Sequence, residues 1–276
     1  MNYRNKTVYD WKTFSFNIFS SLISLQFMKL AKEKIIDFPI RNVIIRDIEN
    51  QIGIIFQIEK TEFSKEEGDE YYQLVSQIVN SLNCDLKLFA IQYLKINKFE
   101  KNYNILYYKK NYITFIVDNK IIHLLPNSFY QSNINVLKDF YLHFNKWISI
   151  SKCYNMINLG DDGGNICTIL SHIFKNMLCY FHCDYSLKCC IEMIKSNGIT
   201  SLLPIKEMNI VYQFEKDNEK TILFINPGRK GLKEYEIEFI KQSKIKYIIY
   251  MACNNEKFKK NFKELDKFKI LDNSKI

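Results

Sequence analysis

Four stretches of the chain carry residue types that can do chemistry, and each follows an apolar run. Cys253 comes just after the run Tyr247–Met251. A side chain at the end of such a strand faces the ligand crevice of an open α/β sheet. A thiol there is a soft nucleophile or simply a small buried residue. Asn158-Leu159-Gly160-Asp161-Asp162-Gly163-Gly164-Asn165 leads a short strand through glycines into a helix, and glycine lets backbone approach a ligand closely. Asp184 closes the next apolar run, where an acid holds a polar ligand or caps the following helix. Asn226-Pro227-Gly228-Arg229-Lys230 ends another, its cations touching phosphate or forming a solvated turn.

The elements that must position these residues alternate strand and helix. After Cys153 the pattern predicts a strand over Met156–Leu159, a helix over 166–178, a strand over Cys179–Cys183 and a helix over Ser186–Ser196 stopped by Asn197-Gly198. A strand over Thr221–Ile225, a helix over Glu234–Ser243, a strand over Lys246–Met251 and a basic helix from Asn255 follow. That order predicts a doubly wound sheet with ligands outside the carboxyl ends of its strands. Upstream, Arg41–Ile58 reads as a hairpin and Glu70–Leu82 as a helix. Leu86–Leu94, Asn104–Tyr108 and Tyr112–Val117 read as strands, and a second helix runs over Ile134–Ile148.

The chain has 276 residues, 47% hydrophobic and 25% charged, which suits one large or two modest globular domains. Only 8 Gly and 4 Pro exclude collagenous and Pro-rich classes. The 39 Lys+Arg against 30 Asp+Glu give a formal net charge of +9, although the abundance of Ile, Lys and Asn matches the bias of an AT-rich genome. Lys257, Lys259, Lys260, Lys263, Lys267 and Lys269 concentrate charge near the C-terminus, a pattern that attracts phosphate backbone or forms a solvated face. No apolar run reaches the roughly 20 residues of a membrane span, since Phe14–Leu30 is broken by Asn17, Ser20, Ser21, Ser24 and Gln26. The first thirty residues, with Arg4, Lys6, Lys12 and Lys29 against Asp10, read as an ordinary N-terminal helix or an organellar transit peptide. Mitochondrial or cytoplasmic localisation is therefore expected. Cys84, Cys153, Cys167, Cys179, Cys183, Cys189, Cys190 and Cys253 show no metal spacing and read as reduced thiols, so no metal is expected.

Four segments in order resemble the S-adenosylmethionine-dependent RNA uracil-C5 methyltransferases. Ser128-Phe129-Tyr130-Gln131-Ser132-Asn133 is similar to that family's SFFQxN segment, and Asn158–Asn165 lies where it has DLYCGxGN/T. Asn226-Pro227-Gly228-Arg229-Lys230-Gly231-Leu232 is similar to DPPRKGL, and Ile248–Asn255 to IVYVSCNP. Ile40–Ile58 more weakly resembles the family's RNA-facing hairpin, so the resemblance covers roughly residues 37–270.

The resemblance implies an α/β fold: a Rossmann-like class I methyltransferase domain over 126–276, a smaller α/β RNA-facing domain over 37–125 and an extension over 1–36. It implies Cys253 as nucleophile and Gln131, Gly160, Gly164, Asn165, Asp184 and Asn226 as contacts to S-adenosylmethionine. RNA, ribosomal or transfer, would be met by Arg41, Arg46, Arg229, Lys230, Lys257 and Lys260. The departures are Asp161-Asp162 in the cofactor loop, which would repel the cofactor's carboxylate, and Asn226 and Gly228 in place of an Asp and a Pro. The sequence given also stops at Ile276, before the family's segment bearing the proton-abstracting Glu. The expectation is therefore an RNA-binding homologue with a degraded active site, structural in a ribonucleoprotein and in contact with ribosomal proteins. The alternative is an active methyltransferase using Cys253, and a third reading is an α/β protein without a nucleic acid partner.

Overall fold

The computed structural model describes residues 23, 40–48, 51–58, 63–96, 101–126, 128, 144–160, 162–217, 220–252 and 254–270. They fall into two compact units. The first runs to Phe115 and takes back His123–Asn127; the second holds Ile116–Ile122 and continues from Ser128.

In the first unit the hairpin read from Arg41–Ile58 is present, as β1 (Ile40–Ile48) paired antiparallel with β2 (Gln51–Ile58). Helix α1 (Lys65–Ser81) crosses over to β3 (Asp85–Ile96), which runs parallel to β2, and β4 (Lys101–Asn111) pairs antiparallel with β3. Helix α1 starts five residues before its apolar stripe because Ser64 and Glu67 form a capping box, each side chain meeting the other's backbone N–H at 3.1 and 2.9 Å. Alternate residues Ile52, Ile54, Phe56 and Ile58 of β2 pack with Phe89, Ile91 and α1's Val75 and Val79 in the core. A further hairpin, β5 (Ile113–Val117) and β6 (Lys120–Leu124), turns on Asp118 and Asn119, both at positive φ. The second strand was missed in the sequence, although Asp-Asn is a turn signal of the left-handed region.

The second unit is built on five parallel strands, β7 (Asn155–Gly160), β8 (Asn176–Tyr180), β9 (Leu202–Ile205), β10 (Thr221–Asn226) and β11 (Tyr247–Tyr250). Their spatial order is β11-β10-β7-β8-β9, and every pair is parallel. The order reverses at β7, whose neighbours are β8 and β10, and this is the expected switch point. Helices α2 (Asn165–Ile169), α3 (Asp184–Asn197), α4 (Met208–Asp217), α5 (Glu234–Gln242) and α6 (Asn255–Glu264) connect or follow the strands, and residues 144–151 are also helical. Side-chain alternation splits the sheet cleanly. Leu159, Tyr180 and Ile225 share one apolar cluster with Val211 of α4 and Ile237 and Phe239 of α5. Asn158, Cys179 and Phe224, which are in register, point to the other face.

One expected element is corrected. The helix read over 166–178 ends at Ile169 with a 3-10 turn to His172, and the strand expected at Cys179–Cys183 is Asn176–Tyr180. The run Met177–Phe181 is apolar at every position, so periodicity alone does not separate a buried strand from a helix. Strand β9 and helix α4 were also missed, the strand because Pro204 argues against a central strand and β9 lies at the sheet's edge. No helix among the described residues is long and apolar enough to cross a membrane.

Gly68 of α1 shows how tightly the first unit is packed. A Cβ there would lie 2.1–2.5 Å from the ring of Tyr107. That ring is held edge-on by Phe63 and Phe89, and its hydroxyl donates to Asp69 Oδ1 at 2.7 Å. Alanine gains about 1 kcal/mol of helix propensity, but overpacking a fixed ring costs about 1–3 kcal/mol. Gly68→Ala is expected to destabilise by up to about 2 kcal/mol in chemical denaturation; a stabilised variant would show that the ring yields freely.

Candidate functional site at the carboxyl end of the parallel sheet

At the switch point β7 and β10 end side by side, with Gly160 and Asn226 in register. A Cβ on Gly160 would lie 2.3 Å from the backbone oxygen of Asn226, so only glycine permits this approach. Gly163 and Gly164 follow with φ of 71° and 81°, in the left-handed region. A Cβ on Gly164 would meet Cys190 Sγ at 2.5 Å and Cys190 Cβ at 2.8 Å, so this glycine lets α3 close against the loop.

Asp162 behaves differently from the expectation. It is 2% exposed, and its carboxylate accepts from Gly164 N at 2.9 Å, Ile166 N at 3.3 Å and Asn158 Nδ2 at 3.3 Å. It caps the loop and the first turn of α2 from inside. Its oxygens are engaged by the chain's own donors, so the carboxylate is turned into the loop. The signal was present in the sequence: an acid two to four residues before a helix start is a capping pattern. Asp161 lies outside the described residues.

Two amide oxygens of the same loop region lack a hydrogen bond. Asn165, 8% exposed, donates Nδ2 to Asp162 O at 2.6 Å while its Oδ1 is buried without a partner. Asn158, fully buried, donates to Asp162 and to Cys179 Sγ at 3.0 Å, and its Oδ1 is also unpartnered. Beneath them Cys167, Cys179 and Cys190 form a buried thiol cluster. Burial pushes the Cys167 and Cys179 thiols up, and for Cys190 the hydrogen bond with Cys179 does so first, followed by burial. These thiols stay protonated and act as packing. Among the described residues no group of His, Cys, Asp or Glu could hold a metal ion.

The remaining expected residues are placed as follows. Asp184 opens α3 with its side chain 81% exposed, and it pairs with Lys206. Arg229 and Lys230 form the 3-10 turn after β10 and are exposed. Lys257 and Lys260 are exposed on α6, whose start is capped by Asn254 Oδ1 accepting from Glu256 N and Lys257 N. Buried Asn261 joins these two cationic segments: its Oδ1 accepts from Leu232 N at 3.0 Å and from Tyr250 Oη at 2.9 Å. A Cβ on Gly231 would lie 2.6 Å from that oxygen and 3.4 Å from Lys257 Cβ, so the turn sits directly against α6. Asn261 carried no sequence signal. Arg46 donates to the Leu125 and Pro126 carbonyls at 2.7 and 3.1 Å, which commits much of its fork to the first unit. Arg41 lies on β1, while its side chain, Gln131 and Cys253 lie outside the described residues. By chain position Cys253 falls between Ala252 and α6, at the carboxyl end of β11.

The sheet order and the glycine loop at its switch point define a Rossmann-like domain of the class I methyltransferase kind. The comparisons with known proteins agree with that class. No family model matches the chain. The sequence is similar to the 23S rRNA (uracil(747)-C(5))-methyltransferase RlmC of Xenorhabdus nematophila, 20% identical over 149 residues, covering 54% of this chain and 40% of the relative. It is similar to RlmC of Haemophilus influenzae, 23% identical over 154 residues, covering 53% of this chain and 39% of the relative. The chain thus spans about 40% of the length of these curated relatives. The fold is that of the Pyrococcus abyssi tRNA (uracil-54, C5)-methyltransferase, solved with S-adenosyl-L-homocysteine, at a TM-score of 0.64 and 13% identity over 90% of this chain and 60% of that one. The resemblance read from the four motifs is upheld by both.

The loop's one described carboxylate is hydrogen-bonded within the chain, and Asn165 Oδ1 is a buried acceptor without a partner. Asp162→Ala would strand three donors, and a loss of about 2–4 kcal/mol is expected. Denaturation midpoints as high as the parent's would show that Asp162 does not hold the loop.

Proposed function

We propose that the chain binds S-adenosylmethionine in the Gly160–Asn165 loop and RNA beside it, and acts on uracil in RNA. The observation that carries this reading is the loop itself: two glycines, Gly160 and Gly164, at close approaches, with Asp162 turned inward and Asn165 Oδ1 left unpaired. The similarity to RlmC proteins supports RNA uracil as the target class. When bound, the cofactor supplies an electrophilic methyl group. The resemblance assigns Cys253 to add its thiolate to C6 of the base, so that C5 takes the methyl group, and to leave once a general base, a Glu in the family, has taken the C5 proton. Asn165 would orient the cofactor and Asp184 its ribose, after exchanging Lys206 for sugar hydroxyls. Arg229, Lys230, Lys257 and Lys260, drawn together by Asn261, would meet phosphate. The smaller α/β unit would present the RNA-facing hairpin.

A second reading, an RNA-binding scaffold without methyl transfer, is favoured by Asn226 and Gly228 standing where the resemblance calls for an acid and a rigid Pro. Two measurements separate the readings. Calorimetry should show S-adenosylmethionine binding that weakens at least about tenfold in Asn165→Ala. RNA carrying 5-fluorouridine should be trapped covalently in a cofactor-dependent way, and Cys253→Ser should abolish trapping. Calorimetric binding without trapping or turnover supports the scaffold; no cofactor binding at all overturns the proposal.

Phosphate contact predicts strong salt dependence. Each lost contact lowers the slope of log affinity against log salt by about 0.7 for single strands. Replacing Arg229, Lys230, Lys257 and Lys260 together by Ala should lower it by about 3 and weaken unrelated RNAs equally. An unchanged slope would remove this patch from the interface.

A further inference from the structure

Asn158 has no part in the proposed function, yet it lies at the centre of the switch strand. It is fully buried on β7, in register with Cys179 of β8 and Phe224 of β10. Its Nδ2 donates to Asp162 Oδ1 at 3.3 Å and to Cys179 Sγ at 3.0 Å. The amide is fixed this way round, because turning it over would set its oxygen against a carboxylate oxygen at the same distance. The Asp162 carboxylate also takes Gly164 N and Ile166 N, and the Asp162 backbone O takes Asn165 Nδ2 at 2.6 Å. Hydrogen bonds thus run without a gap from the interior of the sheet, through Asp162, to Asn165.

We infer that Asn158 is a positioning residue for S-adenosylmethionine: it holds the Asp162 carboxylate ionised and turned inward, and through Asp162 it sets Asn165. This rests on the reading of the loop as the cofactor site. The position calls for a group that donates, is uncharged and fits between β8 and β10, and an asparagine meets all three needs. A leucine fills the space and donates nothing. An aspartate keeps the shape but brings a second carboxyl to the first, and two carboxyls in one buried site share a proton. The other titratable groups packed here are Cys167 of α2, Cys179 of β8 and Cys190 of α3, each within the influence of Asp162. These thiols hold their protons above the ordinary range, Cys167 and Cys179 chiefly by burial and Cys190 first by its hydrogen bond with Cys179. They stay neutral through the neutral pH range, so Asp162 is the charge that the amide answers.

Asn158→Asp turns this role into a pH dependence. Its shared proton is bound more tightly in the folded chain than in the unfolded one, where an aspartate titrates near about 4. Stability is then kept at low pH and lost as pH rises through the folded value. Chemical denaturation between about pH 5.5 and about pH 8 should show the folding constant of Asn158→Asp falling behind the parent's by up to about tenfold per pH unit. Asn158→Leu should be weaker than the parent by one constant factor across that range. Calorimetry with S-adenosylmethionine should divide the two variants in the same way, with the affinity of Asn158→Asp relative to the parent falling at least about tenfold. The exchanged pair Asn158→Asp/Asp162→Asn has one carboxylate and one amide again, and should recover most of the loss at the higher pH. If Asn158→Asp alone does not fold, the exchanged pair should still do so. A gap between Asn158→Asp and the parent that is absent or constant with pH overturns the inference, as does an exchanged pair no better than the single variant. If the parent binds no S-adenosylmethionine, the proposed function fails, while the denaturation profiles still decide whether Asn158 holds Asp162.

Discussion

The buried carboxylate of Asp162 is the contact on which the carboxyl edge of the parallel sheet depends. Strand β7 has to turn into α2 within a few residues, between the backbone of Asn226 on one side and Cys190 on the other. Glycines relieve the crowding, but they leave a flexible loop with buried N–H groups and nothing to hold them. Asp162 supplies the missing acceptors, taking Gly164 N, Ile166 N and Asn158 Nδ2. Burying a carboxylate is costly unless it is hydrogen-bonded, and three donors offset that cost here. The loop is therefore rigid for an electrostatic reason, and its rigidity leaves Asn165 Oδ1 fixed and unpartnered.

That contact also changes how the sequence is to be read. From residue types alone, two adjacent acids in a cofactor loop look like erosion, because an anion meets an anion. For Asp162 side-chain direction matters, and direction is not visible in a residue list. What was legible was the order of motifs, the hairpin at β1 and β2, the parallel sheet with its reversal at β7, and the left-handed Gly198 that closes α3. These rest on strong local signals: β-branched runs, polar turns and a glycine C-cap. The helix read across 166–178 failed because Met177, Leu178 and Cys179 are buried on both faces of a sheet, and unbroken apolarity carries no period. The links made by Asn261 were invisible for a different reason. One amide oxygen joins residues 11 and 29 positions away, which no window of sequence spans.

The charge of the chain shows the same limit. A net charge of +9 invites a phosphate partner, yet several cations are committed to the fold. Lys267 donates to the Lys241 and Ser243 carbonyls and closes the end of α5, and burial lowers its affinity for a proton. Lys109 meets Asp69, whose carboxyl is held below its ordinary value by that lysine first and by Tyr107 second. Exposed pairs of this kind contribute little to stability, so they direct local geometry more than they stabilise. Arg229, Lys230, Lys257 and Lys260 differ in lying on two segments brought together by a buried amide.

The edge strand connects these themes. Tyr250 ends β11, and its hydroxyl reaches the same Asn261 oxygen that holds Leu232 of the cationic turn. The chain then passes through Met251 and Ala252 to Cys253 before Asn254 caps α6. Among the described residues β11 is held by β10 and, through Tyr250 Oη, by the Asn261 oxygen that also takes Leu232 N, so one buried amide ties the end of the strand to the cationic turn.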